Sequence, residues 1–177
     1  MSSGRRVLAV LLGSAVVVLG ACTDDEPEPE PLAEPTVSVD EAQREYGPLV
    51  TDVVDAVAEV SEVTAQPDPP EVIYYDSELA SCTYSSTRYE FPVVFGEEVS
   101  WDDVRAATER VLEPRGFELT DQLDIPGGYN GFDAVAEDGA RFEVRSKLGI
   151  TSKIDLDAPV QGTCSPEGNE TLPPLER

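Results

Sequence analysis

Apolar residues recur along this chain with two different periods. Between Ser38 and Pro67 they fall at Val39, Ala42, Tyr46, Leu49, Val50, Val53, Val54, Val57 and Val60, the three-and-four spacing that lines one helix face. Ser38 followed by Glu41 is a capping box that opens this helix. Gly47-Pro48 interrupts the stripe, and proline lacks the amide donor and crowds the carbonyl four residues back, so a kink or restart is expected there. A second helix starts at Ser100 as N-cap, with Asp103 at N3 and Val99 stapled against Val104. Its buried stripe reads Trp101, Val104, Thr108, Val111 and Leu112, and Arg115-Gly116 supplies a cation and a left-handed cap at its end.

Elsewhere the period is two. Strands are expected at about 79–85, 88–95, 117–124, 132–137, 140–148 and 152–157, with the alternation clearest where Phe142, Val144 and Leu148 share a face opposite charged side chains. Asp138-Gly139 between two such runs predicts a two-residue hairpin with a type I′ turn. The order of helix, strands, helix and antiparallel strands implies an α+β fold, an antiparallel β-sheet with two α-helices packed on one face, and a single domain over 37–164.

The ends read differently. Arg5 and Arg6 precede an apolar run from Val7 to Leu19, too short for the ~20 residues a membrane span needs, so residues 1–21 form a signal peptide. The run closes on Leu19-Gly20-Ala21-Cys22, which resembles a bacterial lipobox and implies diacylglyceryl transfer to Cys22 with cleavage before it. The competing reading is an ordinary secreted chain in which Cys22 is incidental. Two acyl chains anchor stably where one does not. Residues 22–36 are an acidic Pro/Glu-rich tether; 23–36 carry six carboxylates, four prolines and no cation, and extend to about 40 Å. Residues 165–177, rich in proline and poor in apolar groups, read as a disordered tail, where Asn169-Glu170-Thr171 matches a glycosylation sequon by chance.

Charge narrows the function. The chain has 177 residues, 36 Asp plus Glu against 12 Lys plus Arg, and no His, giving a formal charge of −24. Without His there is no imidazole base, no imidazole metal ligand and no Ser-His or Cys-His nucleophile pair. So acidic a chain has nothing with which to release counterions from a nucleic acid, and no nucleic-acid partner is expected. With Cys22 committed to lipid, Cys82 and Cys164 remain, and in an exported chain a disulfide between them is favoured over a reactive pair, since there is no CxxC and no basic neighbour. Such a bridge would tie the ends of the sheet together.

Leu-Gly-Ala-Cys at 19–22, the Cys82 strand, the capped helix ending in Arg-Gly-Phe at 115–117, the Asp-Gly hairpin and Gly162-Thr163-Cys164 together resemble the small actinobacterial lipoproteins grouped as LppA-like. That resemblance covers most of 38–164 and implies a fold and an extracytoplasmic, membrane-anchored address, with no activity to carry over.

Candidate chemistry is sparse. Glu97/Glu98, Asp102/Asp103 and Asp155/Asp157 are carboxylate pairs better read as a helix N-terminus or an outward strand face, and none fits an EF-hand. Residues 126–131, Pro-Gly-Gly-Tyr-Asn-Gly, lack a phosphate-loop pattern and read as a mobile loop, while Tyr74, Tyr75 and Tyr129 could form an aromatic patch. Neither a cofactor nor a metal is called for. The sharpest candidate is a basic strip, Arg141, Arg145 and Lys147, outward on one strand beside Lys153, Asp155 and Asp157. It is either a cross-strand ladder in which acids neutralise the cations, or a docking surface for an acidic envelope protein or polymer. Three functions remain: a non-enzymatic binding or accessory module on a monomeric domain, which is favoured; a purely structural envelope lipoprotein; or a hydrolase working with carboxylates alone.

Overall fold

A computed structural model describes residues 35–77, 80–120, 123–125, 128–147, 150–165 and 168–173. By compactness the chain divides after Pro31, and every described residue belongs to the unit Leu32–Arg177. The signal peptide, Cys22 and nearly all of the tether lie outside the described residues.

Helix α1 runs from Val39 to Ser61, opened by the capping box: Glu41 N–H donates to Ser38 Oγ at 3.4 Å and Ser38 N–H to Glu41 Oε2 at 3.0 Å. Pro48 does not break it. The helix is continuous through Gly47-Pro48, because the buried stripe of Ala42, Tyr46, Leu49, Val50, Val53, Val54 and Val57 holds both halves on one core. Helix α2 spans Trp101–Leu112; Ser100 accepts from Asp102 N–H at 3.2 Å, and Val99 and Val104 are both buried as the staple requires. A single 3-10 turn, Glu113–Arg115, ends on Gly116 in the left-handed region.

The sheet has ten strands among the described residues, all antiparallel: β1 Gln66–Pro67, β2 Val72–Asp76, β3 Ser81–Ser85, β4 Tyr89–Phe91, β5 Glu118–Leu119, β6 Leu123–Ile125, β7 Tyr129–Val135, β8 Arg141–Lys147, β9 Ser152–Val160 and β10 Glu170–Thr171. Their main order is β10-β2-β3-β9-β8-β7-β5. The fold is α+β, with the two helices against each other and against the strands on one continuous core.

Several expectations change. The stretches read at 79–85 and 88–95 lie end to end on the same edge of β9, β3 pairing with 157–160 and β4 with 152–154. The break between them is patched by Ser86, whose amide donates to Leu156 O and whose Oγ accepts from Leu156 N–H, both at 2.9 Å. β2, unforeseen just after Pro69-Pro70, sits next to β3. The tail is not loose at 168–173: Glu170 and Thr171 pair with Ile73 and Val72. Tyr129–Gly131, read as mobile loop, are instead the start of β7. Gly131 is needed there for close approach, since a Cβ would sit 2.2 Å from Val144 O. The β7–β8 hairpin forms around Asp138-Gly139, but only Gly139 has positive φ, at 87°, and Ala136 and Ala140 close a three-residue loop rather than a type I′ turn. Asp138 Oδ1 accepts from Ala140 N–H at 3.1 Å, a local bond that helps hold the loop.

Cys82 and Cys164 are joined, with Cα atoms 5.8 Å apart, inside the usual disulfide range. They do not tie the ends of the sheet. β3 and β9 are adjacent in its middle, so the bond pins the segment leaving β9 back onto its own neighbour.

Candidate functional site

The outward face of β7, β8 and β9 carries the basic strip. Register places Asp133, Glu143 and Asp155 in one row across the three strands, with Arg141 opposite Asp157 on one side of the row and Arg145 opposite Lys153 on the other. This face is not wet throughout: Asp133 is 2% and Asp155 5% exposed. Arg141 donates to Asp133. Arg145 reaches Glu143 at 2.9 Å through Nη1 and both Asp155 oxygens at 3.0 Å through Nη2, while Arg88 donates to Asp155 at 2.6 Å and Lys153 meets Glu90 at 2.6 Å. Lys147 lies over the Tyr129 ring, 4.9 Å from its centroid. Arg141 and Arg145 are therefore bound up in a ladder. Taking them from their carboxylates would strand buried charge, which is costly where water is excluded.

Electrostatics follow from this crowding. Burial raises the Glu143 carboxyl above its ordinary value, Arg145 opposing and the neighbouring acids reinforcing. Burial likewise raises Asp157, with Ser85 pulling the other way. Burial lowers the Arg88 guanidinium, but the hydrogen bond and charge of Asp155 outweigh it and the net shift is upward. Asp157 Oδ1 and Thr83 Oγ1, on neighbouring strands of this face, are buried without a hydrogen-bond partner.

The other sequence candidates disperse. Tyr74 and Tyr75 are consecutive on β2 and so point to opposite faces, Tyr74 toward Asp157 and Tyr75 to the helix side, and Tyr129 is on β7. Asp102 and Asp103 are in the first turn of α2, and Glu98 accepts from Val94 N–H at 3.1 Å. Among the described residues, no group of three or more Cys, Asp or Glu is placed to hold a metal.

A second site was not foreseen. Between the first half of α1, the residues entering β2, the Ser86 bulge and β10 lies a cleft of about 860 Å³, lined by Gln43, Gly47, Val50, Glu71, Tyr89 and Leu172 among others. Gln43, 4% exposed on an otherwise apolar stripe, donates to Glu71 Oε2 at 2.5 Å and to Pro173 O at 2.9 Å. Tyr84 O–H donates to Glu71 Oε1 at 3.1 Å, and burial, then the Glu71 charge, push its hydroxyl well above the usual range. Gly47 leaves room for that carboxylate: a Cβ would lie 3.0 Å from Oε1. The available sequence signals were a buried-position glutamine and a glycine inside a helix, where glycine is about 1 kcal/mol worse than alanine.

No protein-family model matches the chain, and no curated protein does. Among solved structures, the crystal structure of a DUF4853 family protein from Actinomyces odontolyticus is similar, with a TM-score of 0.52 and 13% identity over 76% of this chain and 75% of that one. At that identity the likeness shows a shared α+β fold and nothing of activity. It is a distant likeness to one actinobacterial protein, and no LppA-like family is shown.

Proposed function

We propose that this chain is an exported, lipid-anchored binding or accessory module, held at the outer face of the cell membrane through Cys22 and without catalysis of its own. The observation that carries the binding reading is the cleft, whose walls are a helix, the Ser86 break in the sheet and a C-terminal segment paired to β2. The Cys82–Cys164 bond supports the address, because such bonds persist in oxidising compartments. Kinship with the LppA-like lipoproteins belongs to the same proposal and is supported by the lipobox and by a fold also found in an actinobacterial protein. The sheet ladder is left out of the binding surface, since Arg141 and Arg145 are already committed to buried acids.

Two measurements test this. Cys22→Ser should abolish labelling by radioactive palmitate and release the chain from membranes; a Ser variant that still labels refutes the anchor. A photo-cross-linking residue at exposed Thr51, on the cleft rim, should capture a defined partner in intact cells, and one at Val135 on the sheet should not. Equal yields, or none from Thr51, favour a purely structural lipoprotein.

A further inference from the structure

Resting on the binding-module reading, the geometry points to the ligand class: we propose that the cleft takes an aliphatic primary ammonium, its charged head on the Glu71 carboxylate and its hydrocarbon stem along Pro48, Val50, Pro70 and Leu172. Glu71 is the one charged side chain among the described residues that line the cleft, so its charge faces no cation there. The walls are otherwise apolar or neutral, and a cleft of about 860 Å³ is the size of a small-molecule site.

The carboxylate is aimed, not free to wander. Gln43 takes one position on Oε2 and Tyr84 one on Oε1, two of the roughly four acceptor positions a carboxylate has. One position stays available on each oxygen. A quaternary ammonium has no N–H to offer, whereas a compact ammonium with three rotatable donors can fill either remaining position or both without the fixed planar approach a guanidinium fork requires. Tyr89 adds an aromatic wall, which favours a cation further. The floor is held by the C-terminal segment, where Leu172 N–H donates to Glu71 O at 3.0 Å, so Leu172 is fixed beside the carboxylate. The strongly acidic chain also raises the local concentration of any cation.

The test is titration of the purified full chain with n-pentylammonium, n-pentanol and pentanoate, followed by calorimetry and by the backbone amide resonances of Gly47, Glu71 and Tyr89. Pentylammonium should bind saturably at these amides, at least tenfold tighter than pentanol, and pentanoate should not bind. Glu71→Gln should erase that tenfold preference while leaving pentanol unchanged. Thr51→Lys, at an exposed rim position, should weaken pentylammonium at least fivefold by placing a competing ammonium in the cleft. Pentanol binding as well as pentylammonium, or Glu71→Gln keeping the preference, overturns the ammonium assignment while the binding reading stands. If none of the three binds, the binding reading of the cleft falls with it. Arg177→Gln should leave affinity unchanged; a tenfold gain would make the chain's own terminal guanidinium the occupant and overturn the proposal.

Discussion

Replacing Arg145 by Met keeps the aliphatic stem and removes the charge that joins Glu143 to Asp155. Asp155 keeps Arg88 at 2.6 Å, but loses two contacts at 3.0 Å, and Glu143 loses one at 2.9 Å. At an effective dielectric of 20, unit charges 3 Å apart attract by about 5 kcal/mol, most of which is cancelled by the desolvation already incurred on folding. An exposed pair would contribute only ~0.2–1 kcal/mol, and removing one partner of a fully buried pair costs ~3–5 kcal/mol. Arg145 is 29% exposed and the Asp155 side chain 7%, which places the loss between these limits, at about 2–3 kcal/mol. For a domain of this size that lowers Tm by about 8 °C. The loss also has a pH signature. Arg145 opposes the upward shift of Glu143, so without it Glu143 rises further and takes a proton more readily, and the deficit should narrow as pH falls from 7 toward 5. Urea unfolding of both proteins at the two pH values measures this. A loss under about 1 kcal/mol, or one that is the same at both pH values, would mean that Asp155 is reached by water and that the ladder is ordinary surface chemistry.

Three further outcomes are expected. Cys82→Ala with Cys164→Ala opens a loop of 82 residues and should cost about 4.5 kcal/mol in the chain-entropy model, with a larger urea m-value as the unfolded chain expands; an unchanged midpoint would refute it. Glu143 and Asp157 are both raised above their ordinary 4.5 and 3.8, so the folded state binds their protons more tightly than the unfolded chain does. Their contribution is complete below those ordinary values and is lost as pH rises through the raised ones, so Tm should climb from pH 7 into mild acid, and Asp157→Asn should flatten that climb. Glu41, lowered by its hydrogen bonds from Ser38, acts in the opposite direction at still lower pH. Gly131→Ala should cost about 3 kcal/mol or more by forcing β7 and β8 apart, measured by chemical denaturation; a loss below about 1 kcal/mol would show that the ladder yields.

Local features were legible in the residues because their causes are local. A capping box needs four consecutive residues, a helix stripe needs its own period, and an Asp-Gly turn needs two strands of matching alternation; α1, α2, β8 and the β7–β8 hairpin follow from such patterns. Local patterns do not reach where a distant element intervenes: a shared core carries α1 through Pro48 without a restart, and β2 draws residues 170–171 out of the expected tail. Sheet order is a global quantity: nothing near Cys82 or Cys164 announces that β3 and β9 are neighbours, so the bond's place in the middle of the sheet depended on which strands bury which faces together. The charged strip shows the point most sharply. Alternation placed Arg141 and Arg145 outward, yet whether an outward arginine is free to dock or locked to an acid depends on how far the facing carboxylate is withdrawn from water. That burial is set by neighbouring strands and by Arg88, 53 and 57 positions away from Arg141 and Arg145. The cleft is the extreme case, because Gln43 and Gly47 on a helix, Glu71 before β2 and Leu172 after β10 acquire a common purpose only when folding brings three separate stretches of chain around one carboxylate.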